Sequence, residues 1–158
     1  MGLFNRKPEI HQVSIASAGL TTATTAYTSG DVLGTQQTVP TGAGSGFIVG
    51  ALAVDASDVI VATGIELWLF SASTTPAADN AAASWSDADM ANLVAVVPLT
   101  VIRDSALNTV VTTAADMTPI PFASTGNLYM TAITRGANAV FAGGATSLSY
   151  KLSVQVLG

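Results

Sequence analysis

Cysteine is absent from this chain of 158 residues, and charged side chains make up only 9% of it. Without cysteine the chain can form no disulfide, no zinc–thiolate centre and no cysteine nucleophile. An average soluble domain carries roughly 25% charged residues, so uncharged Thr, Ser, Ala, Asn, Gln and Gly must cover most of this surface. Because isolated soluble proteins usually need more charge to stay apart, we expect much of the surface to be buried against neighbours in an assembly.

Positive charge is especially scarce. The chain has 5 Lys and Arg against 10 Asp and Glu, and its formal net charge is −5. A nucleic-acid-binding protein needs a basic stripe to meet phosphates, whereas here only Arg6 and Lys7 are adjacent. The longest nearly unbroken apolar run, residues 47–54, is far shorter than the roughly 20 residues of a membrane-spanning helix. The composition therefore predicts neither nucleic acid nor a membrane as a partner.

The clearest interior strand lies at residues 64–72, with the sequence GIELWLFSA. Alternate residues of a strand point to opposite faces, so one face carries three branched aliphatic side chains and the other carries Trp68 and Phe70. A strand with two apolar faces must be covered on both sides. The pattern therefore predicts a strand in the middle of a sheet, between two layers.

Similar patterns predict further strands along the whole chain, at residues 11–16, 31–39, 47–55, 96–103, 109–113, 127–134 and 148–156. The last is the cleanest, with apolar and polar residues in strict alternation, and it predicts one buried face. The glycine-rich residues 40–46 are typical of a flexible hairpin or loop, and residues 73–83 of a long loop. The predicted fold class is all-β: a two-layer antiparallel β-sandwich, jelly-roll-like, with one short helix.

The helix is predicted at residues 87–94. Ser86 can be its N-cap, and Asp89 stands three residues later as the acid of a capping box. Trp85 and Met90 have the spacing of a hydrophobic staple. Two turns are expected, with Met90 and the two apolar residues 93 and 94 on one face.

We divide the chain into an N-terminal arm, residues 1–10, and a single β-sandwich domain, residues 11–158. The arm has no hydrophobic period, and its first half contains Phe4, Arg6 and Lys7. Two interpretations stay open: a frayed terminus, or an arm that docks on a partner. On the second interpretation Phe4, Arg6 and Lys7 are the candidate partner-binding residues.

No constellation for catalysis, metal binding or cofactor binding can be assembled from the sequence. His11 is the sole histidine, and we interpret it as a surface residue, because a Ser–His pair needs a third group to hold the imidazole. The acidic groups at residues 55 and 58, and at 79, 87 and 89, lack the spacing of a calcium loop. We therefore predict no catalytic residue, no metal and no cofactor, and a protein that is not an enzyme.

Two features of the strand predicted at residues 64–72 and of its surroundings keep alternatives open. Glu66 is the one acid within it, and we expect either a salt bridge to Arg103 or Arg135 or exposure at the end of the sheet. The aromatic residues of this region are core residues on the simpler interpretation and a sugar-stacking platform, as in lectins, on the other; they are Trp68, Phe70, Trp85 and Tyr129.

Three consecutive motifs resemble the head-decoration, or cement, proteins of tailed bacteriophages. They are LWLF at residues 67–70, DNAA at residues 79–82 and WSDADMANLV at residues 85–94. Such proteins often show Leu-x-Leu-Phe, Asp-Asn-Ala and Ser-Asp-Ala-Asp-Leu in this order, and here Met90 replaces the last leucine, a volume-conserving change. The resemblance covers about residues 64–97, and outside this range the chain is similar in style only.

The resemblance implies a structural virion protein with a jelly-roll-like β-sandwich. Such a protein would bind the outer surface of an assembled capsid and bridge neighbouring major capsid proteins. The implied partners are the major capsid protein and other copies of the chain, in a dimer or a trimer. The alternative function is a carbohydrate- or receptor-binding β-sandwich domain of a virion fibre or a lectin.

Overall fold

The structure, a computed structural model, describes residues 9–15, 25–56, 64–105, 108–135 and 148–157. They form eight strands and one short helix: β1 (Glu9–Ile15), β2 (Val32–Asp55), β3 (Ile65–Phe70), α1 (Asp87–Met90), β4 (Leu93–Leu99), β5 (Val101–Asp104), β6 (Thr109–Thr112), β7 (Ile120–Thr134) and β8 (Leu148–Leu157). All strand pairs are antiparallel. The predicted all-β class is therefore confirmed. No helix in these ranges has the length and apolar character needed to cross a membrane.

The strands pair in the order of a jelly roll. One layer runs β1, β8, the second half of β2 and β6, and the other runs the first half of β2, β7, β3 and β4. Only Thr100 separates β4 from β5, which pairs with β6. The sheet consequently returns to β2 and is almost closed. Counting β2 as two strands and β4 with β5 as one gives the roughly eight strands of a jelly roll.

The continuity of β2 differs from the sequence prediction. The expected loop at residues 40–46 is strand, and it joins the two predicted strands on either side. Gly42 and Gly44 have φ values of +75° and +136°, and a register shift between residues 40 and 42 marks a bulge. Glycine can adopt these angles without strain, so it bends β2 from one layer into the other while β7 continues to pair with it.

The core lies between the two layers. Leu67 of β3 and Leu152 of β8 are fully buried in it, as are apolar residues of β2, β4, β6 and β7. In β8 the alternation predicts the buried face correctly, because Leu148, Tyr150, Leu152 and Val154 are buried. The strand lies between β1 and β2, so its alternation reflects a sheet with one face on the core.

The helix is shorter than predicted. The capping box is confirmed, since Ser86 Oγ accepts a hydrogen bond from Asp89 N (3.1 Å) and Ser86 N donates to Asp89 Oδ2 (3.3 Å). The helix nevertheless ends at Met90, and the expected apolar face is wrong because Leu93 already begins β4. Leu93 pairs with Phe70 of β3, so pairing with the sheet ends the helix after one turn.

The first strand begins two residues earlier than predicted. Glu9 and Ile10 belong to β1 and pair with Val156 and Gln155 of β8. The boundary drawn at residue 10 for the arm therefore falls within β1. Phe4, Arg6 and Lys7 lie outside the described residues.

Candidate functional site

A second apolar cluster lies on the outer face of the β3 layer. Val32, Phe70 and Ile133 are buried but do not belong to the main core. They are covered by residues 71–86, which connect β3 to α1 and which we call the covering segment. The prediction that β3 is interior and covered on both faces is thus confirmed: β4 and β7 flank it, the core covers one face, and the covering segment lies over the other.

Side-chain hydrogen bonds fix the covering segment to the beginning of β2. Gln36 accepts a hydrogen bond from Thr74 N (3.1 Å) and donates one to Thr74 Oγ1 (2.7 Å). Asp79 Oδ1 accepts from Gly34 N (2.6 Å) and from Tyr27 OH (2.7 Å). The loop that the sequence predicts is therefore held at two points, and its far end carries Trp85 to the sheet.

Trp85 stacks on the aromatic face of β3. Its ring lies 4.7 Å from that of Trp68, centroid to centroid, with an angle of 14° between the planes. The ring of Phe70 lies 5.5 Å from it, tilted by 43°. Offset-stacked and tilted pairs of this kind contribute beyond their buried area, about 0.5–1.5 kcal/mol each. Trp85 also precedes the N-cap residue, so the capping box fixes the chain direction at this point.

An ion pair fixes the other side of Trp68. Glu66 Oε2 accepts hydrogen bonds from Arg135 Nη2 (2.5 Å) and from Trp68 Nε1 (3.0 Å). The hydrogen bond from Arg135 holds the pKa of Glu66 below its usual value; desolvation raises it, and the Trp68 hydrogen bond lowers it further. Of the two partners that the sequence analysis offered for Glu66, Arg135 is the correct one. The pair is partly open to solvent, with the Arg135 side chain 41% exposed.

These groups border a cleft of about 500 Å³, which we call the aromatic cleft. Its wall includes two tryptophans, a methionine, an arginine and several small residues: Gly30, Trp68, Ala82, Ala83, Ser84, Trp85, Met90, Ile133 and Arg135. Both tryptophans are half-buried, and Met90 is 38% exposed. The cleft therefore combines open aromatic surface with one cation.

A second cleft, of about 450 Å³, lies between β2 and the covering segment near Gln36 and Asp79. The polar side chains there already bond one another, as described above for Gln36, Thr74 and Asp79. Their hydrogen-bonding capacity is used in holding the covering segment. These side chains therefore have a structural role, and the second cleft offers a ligand fewer unused hydrogen-bonding groups than the aromatic cleft does.

The acidic residues weighed as metal ligands are dispersed. Asp79 binds Tyr27 and Gly34, Asp87 and Asp89 lie in the first turn of α1, and Asp58 is outside the described ranges. Within those ranges no three His, Cys, Asp or Glu side chains come together as a metal site would require. His11 lies in β1 opposite Val154.

The aromatic residues divide between the two interpretations that the sequence left open. Phe70 is fully buried, as a core residue is, while Trp68 and Trp85 line the aromatic cleft. Tyr129 is half-buried opposite Phe70. Sequence reasoning did not identify Met90 and Arg135 as cleft residues. They lie far apart in the chain, and no local pattern connects them.

Comparison with protein-family models, with curated proteins and with solved structures found no match to this chain.

Proposed function

We propose that this chain is a structural virion protein that binds the outer surface of an assembled phage capsid and stabilises it by bridging neighbouring major capsid proteins. The observation that carries the proposal is the jelly-roll order of strand pairing, an architecture that recurs in viral capsid domains and in lectins. The resemblance of residues 64–97 to head-decoration proteins points in the same direction. The proposal includes self-association into a dimer or trimer.

The surface chemistry supports an assembled state. Within the described ranges, the exposed side chains include few charges, namely Asp87, Arg103, Asp104, Asp116, Arg135 and Lys151. Residues 40–47 of β2 and 121–127 of β7 pair with each other and contain no charged residue; we call them the uncharged ribbon. Small, uncharged side chains allow close and flat contacts with a partner, because no charge must be desolvated.

The uncharged ribbon is the contact surface that we propose for the capsid. Pro121, Ala123, Thr125 and Asn127 are exposed on one side of it, while Phe122 between them is buried. β3 pairs with β7 only at residues 129–134, so in the ribbon β7 has one neighbouring strand within the described chain. The ribbon is thus a polar but uncharged surface at the margin of the sheet, and it is two-stranded up to Gly44, since β8 pairs with β2 from Ser45 onward.

The mechanism is thermodynamic. A protein that binds only the assembled lattice stabilises it by RT ln(1 + [L]/Kd), about 2.7 kcal/mol per site at a hundredfold excess over Kd. Bridging adds to this, because the second contact of a bound molecule forms at high effective concentration. Many modest contacts repeated over the capsid then resist internal pressure together.

Co-sedimentation of the purified chain with capsid particles from its source tests the proposal. We expect saturable binding at a fixed ratio to the major capsid protein. A folded chain that stays in the supernatant would contradict it. Removal of residues 1–8, which leaves β1 intact, tests whether Phe4, Arg6 and Lys7 make the contact.

A charge placed in the ribbon tests the proposed surface. Thr125→Lys should weaken capsid binding, because the ammonium group would lose its hydration when the ribbon is covered by a partner. Thr100→Lys, at an exposed threonine between β4 and β5, is the matched control and should bind normally. Equal binding by both variants would exclude the ribbon as the contact.

A further inference from the structure

Exposed Met90 and the half-buried tryptophans mark the aromatic cleft as a place where apolar surface stays open to solvent. Only Met90 and Leu157 are exposed among the large hydrophobic residues of the described ranges. Apolar side chains that line an open groove are a common feature of ligand-binding sites. The volume of about 500 Å³ lies within the roughly 300–1,000 Å³ of small-molecule sites.

The walls of the cleft are fixed before any ligand binds. Trp68 is held by its strand, by the stack on Trp85 and by the hydrogen bond from Nε1 to Glu66. Arg135 is held by the same carboxylate. A ligand would therefore meet an aromatic ring and a guanidinium in set positions, and little side-chain freedom would be lost on binding.

The combination of these groups selects the class of ligand. An aromatic face packs against the apolar C–H face of a pyranose ring, and a guanidinium offers five N–H donors to ring hydroxyls. Of the Arg135 nitrogens, Nη2 donates to Glu66, and the guanidinium makes no other hydrogen bond within the described chain. Gly30, Ala82 and Ala83 line the same cleft, and these small residues leave room for a ring.

Other ligand classes fit less well. A nucleotide needs cations for its phosphates, and this cleft has one cation, already paired with Glu66, in a chain of net charge −5. An extended peptide adds to the edge of a sheet, whereas β3 lies between two strands. Hydrolysis of a sugar needs two carboxyl groups across the bond, and Glu66 is the one carboxylate bound to the described cleft residues Trp68 and Arg135.

We propose that the aromatic cleft binds a saccharide, with a pyranose ring packed against the surface of the Trp68–Trp85 stack that lines the cleft and a ring hydroxyl hydrogen-bonded to Arg135. The site binds without cleaving. The cleft and the uncharged ribbon share no residue, so this inference does not depend on the capsid proposal, and either can fail alone.

Intrinsic fluorescence provides a direct test. Trp68 and Trp85 are the 2 tryptophans of the chain, so tryptophan emission reports on this cleft alone. The full chain would be titrated with the methyl glycosides of glucose, galactose, mannose and N-acetylglucosamine, and with sorbitol, an acyclic polyol that has hydroxyls but no ring face. We expect a saturable change with at least one glycoside and none with sorbitol. No change with any glycoside, or the same change with sorbitol, would overturn the proposal.

Two variants with matched controls locate the site. Arg135→Met keeps the aliphatic packing and should weaken binding about tenfold, the effect of losing one hydrogen bond to a charged group. Ala83→Leu fills the cleft and should abolish binding. Arg103→Met in β5 and Ala115→Leu in an exposed turn should bind as the unmodified chain does. Unchanged affinity in Arg135→Met or Ala83→Leu, or an equal loss in the controls, would refute the assignment.

Discussion

Glu66 joins two side chains from different parts of the chain. Its carboxylate accepts hydrogen bonds from Trp68 on β3 and from Arg135 just after β7. Since the pKa of Glu66 is lowered from its ordinary value of 4.5, the folded state favours the ionised form. The carboxylate then contributes stability that is complete above pH 4.5 and is lost as the pH falls through the lower folded-state pKa.

We predict that Glu66→Gln destabilises the protein by about 0.5–1 kcal/mol near neutral pH, the range of a solvent-exposed ion pair. The difference from the unmodified chain should be smaller at a pH well below 4.5, where Glu66 itself becomes increasingly protonated. Urea unfolding at the two pH values measures this. Asp116→Asn, at an exposed turn, is the control, and a pH-independent difference for Glu66→Gln would contradict the argument.

Tyr27 and Tyr150 are equally buried, but their hydroxyl groups differ in hydrogen bonding. Tyr27 OH donates to Asp79 Oδ1 (2.7 Å), whereas Tyr150 OH is buried without a hydrogen-bond partner in the described chain. Burial is the first cause that raises the pKa of Tyr150 well above its usual range, so its hydroxyl stays neutral. An unpaired buried hydroxyl costs free energy that a paired one does not.

Removal of the two hydroxyl groups should therefore affect the stability of the protein differently. We predict that Tyr150→Phe is neutral or stabilising by up to about 1 kcal/mol, while Tyr27→Phe destabilises by roughly 1–2 kcal/mol. Chemical denaturation of both variants checks the ranking. A loss of stability in Tyr150→Phe as large as that in Tyr27→Phe would show that the Tyr150 hydroxyl is paired.

Among the elements, β2 sets the arrangement of the layers, and Gly46 lies at the point where it passes between them. Gly46 pairs with Phe122 of β7 and with Val156 of β8. A Cβ at this position would collide with the carbonyl oxygen of Gln155 and lie 2.9 Å from the ring of Phe122. The backbone of β8 cannot retreat without losing its pairing to β2.

We predict that Gly46→Ala destabilises the fold by about 3 kcal/mol, the upper range for overpacking. Gly42→Ala is the comparison, because Gly42 has φ of +75° but open space around it, so its cost is only backbone strain of roughly 1–2 kcal/mol. Denaturant midpoints of the two variants give the test. Equal midpoints would mean that β8 moves aside more easily than its pairing suggests.

Structural features that are determined by residues close together in the chain could be predicted from the sequence. The alternation of β8, the two apolar faces of β3 and the Ser86–Asp89 capping box each depend on a few neighbouring residues, and all are present. The continuity of β2 could not be predicted, since Gly42 and Gly44 usually favour a turn, and here they bend a strand that β7 keeps paired.

The same limit applies to α1 and to the aromatic cleft. Leu93 fits a helical face as well as a strand, and the choice was decided by its pairing with Phe70. Trp68 and Trp85 stand out in the sequence, but their stacking with each other depends on how the covering segment returns to the sheet. Arg135 joins them from the far end of β7, and nothing in its neighbourhood in the chain indicates this.

For the whole molecule, the scarcity of charged residues bears on how the proposed binding to capsid particles depends on salt. If the uncharged ribbon makes the capsid contact, few ion pairs form between the chain and the capsid. Added salt then has few charge–charge interactions to screen. We predict that the affinity for capsid particles is nearly constant between low and high salt, as measured by co-sedimentation. A steep loss with added salt would assign the contact to charged groups, such as those of the arm, and would contradict the ribbon proposal.

The position of β2 in the chain also governs the order in which the molecule can form. Its partners β6, β7 and β8 all come later, from residue 109 to residue 157. During synthesis β2 therefore emerges before any strand that pairs with it. The layer that contains β7 can be completed only after residue 134 has been made, and the layer that contains β8 only after residue 157. Such distant pairing carries a large loop-closure cost and makes folding slow, so β2 stays at least partly unpaired until β8 has emerged.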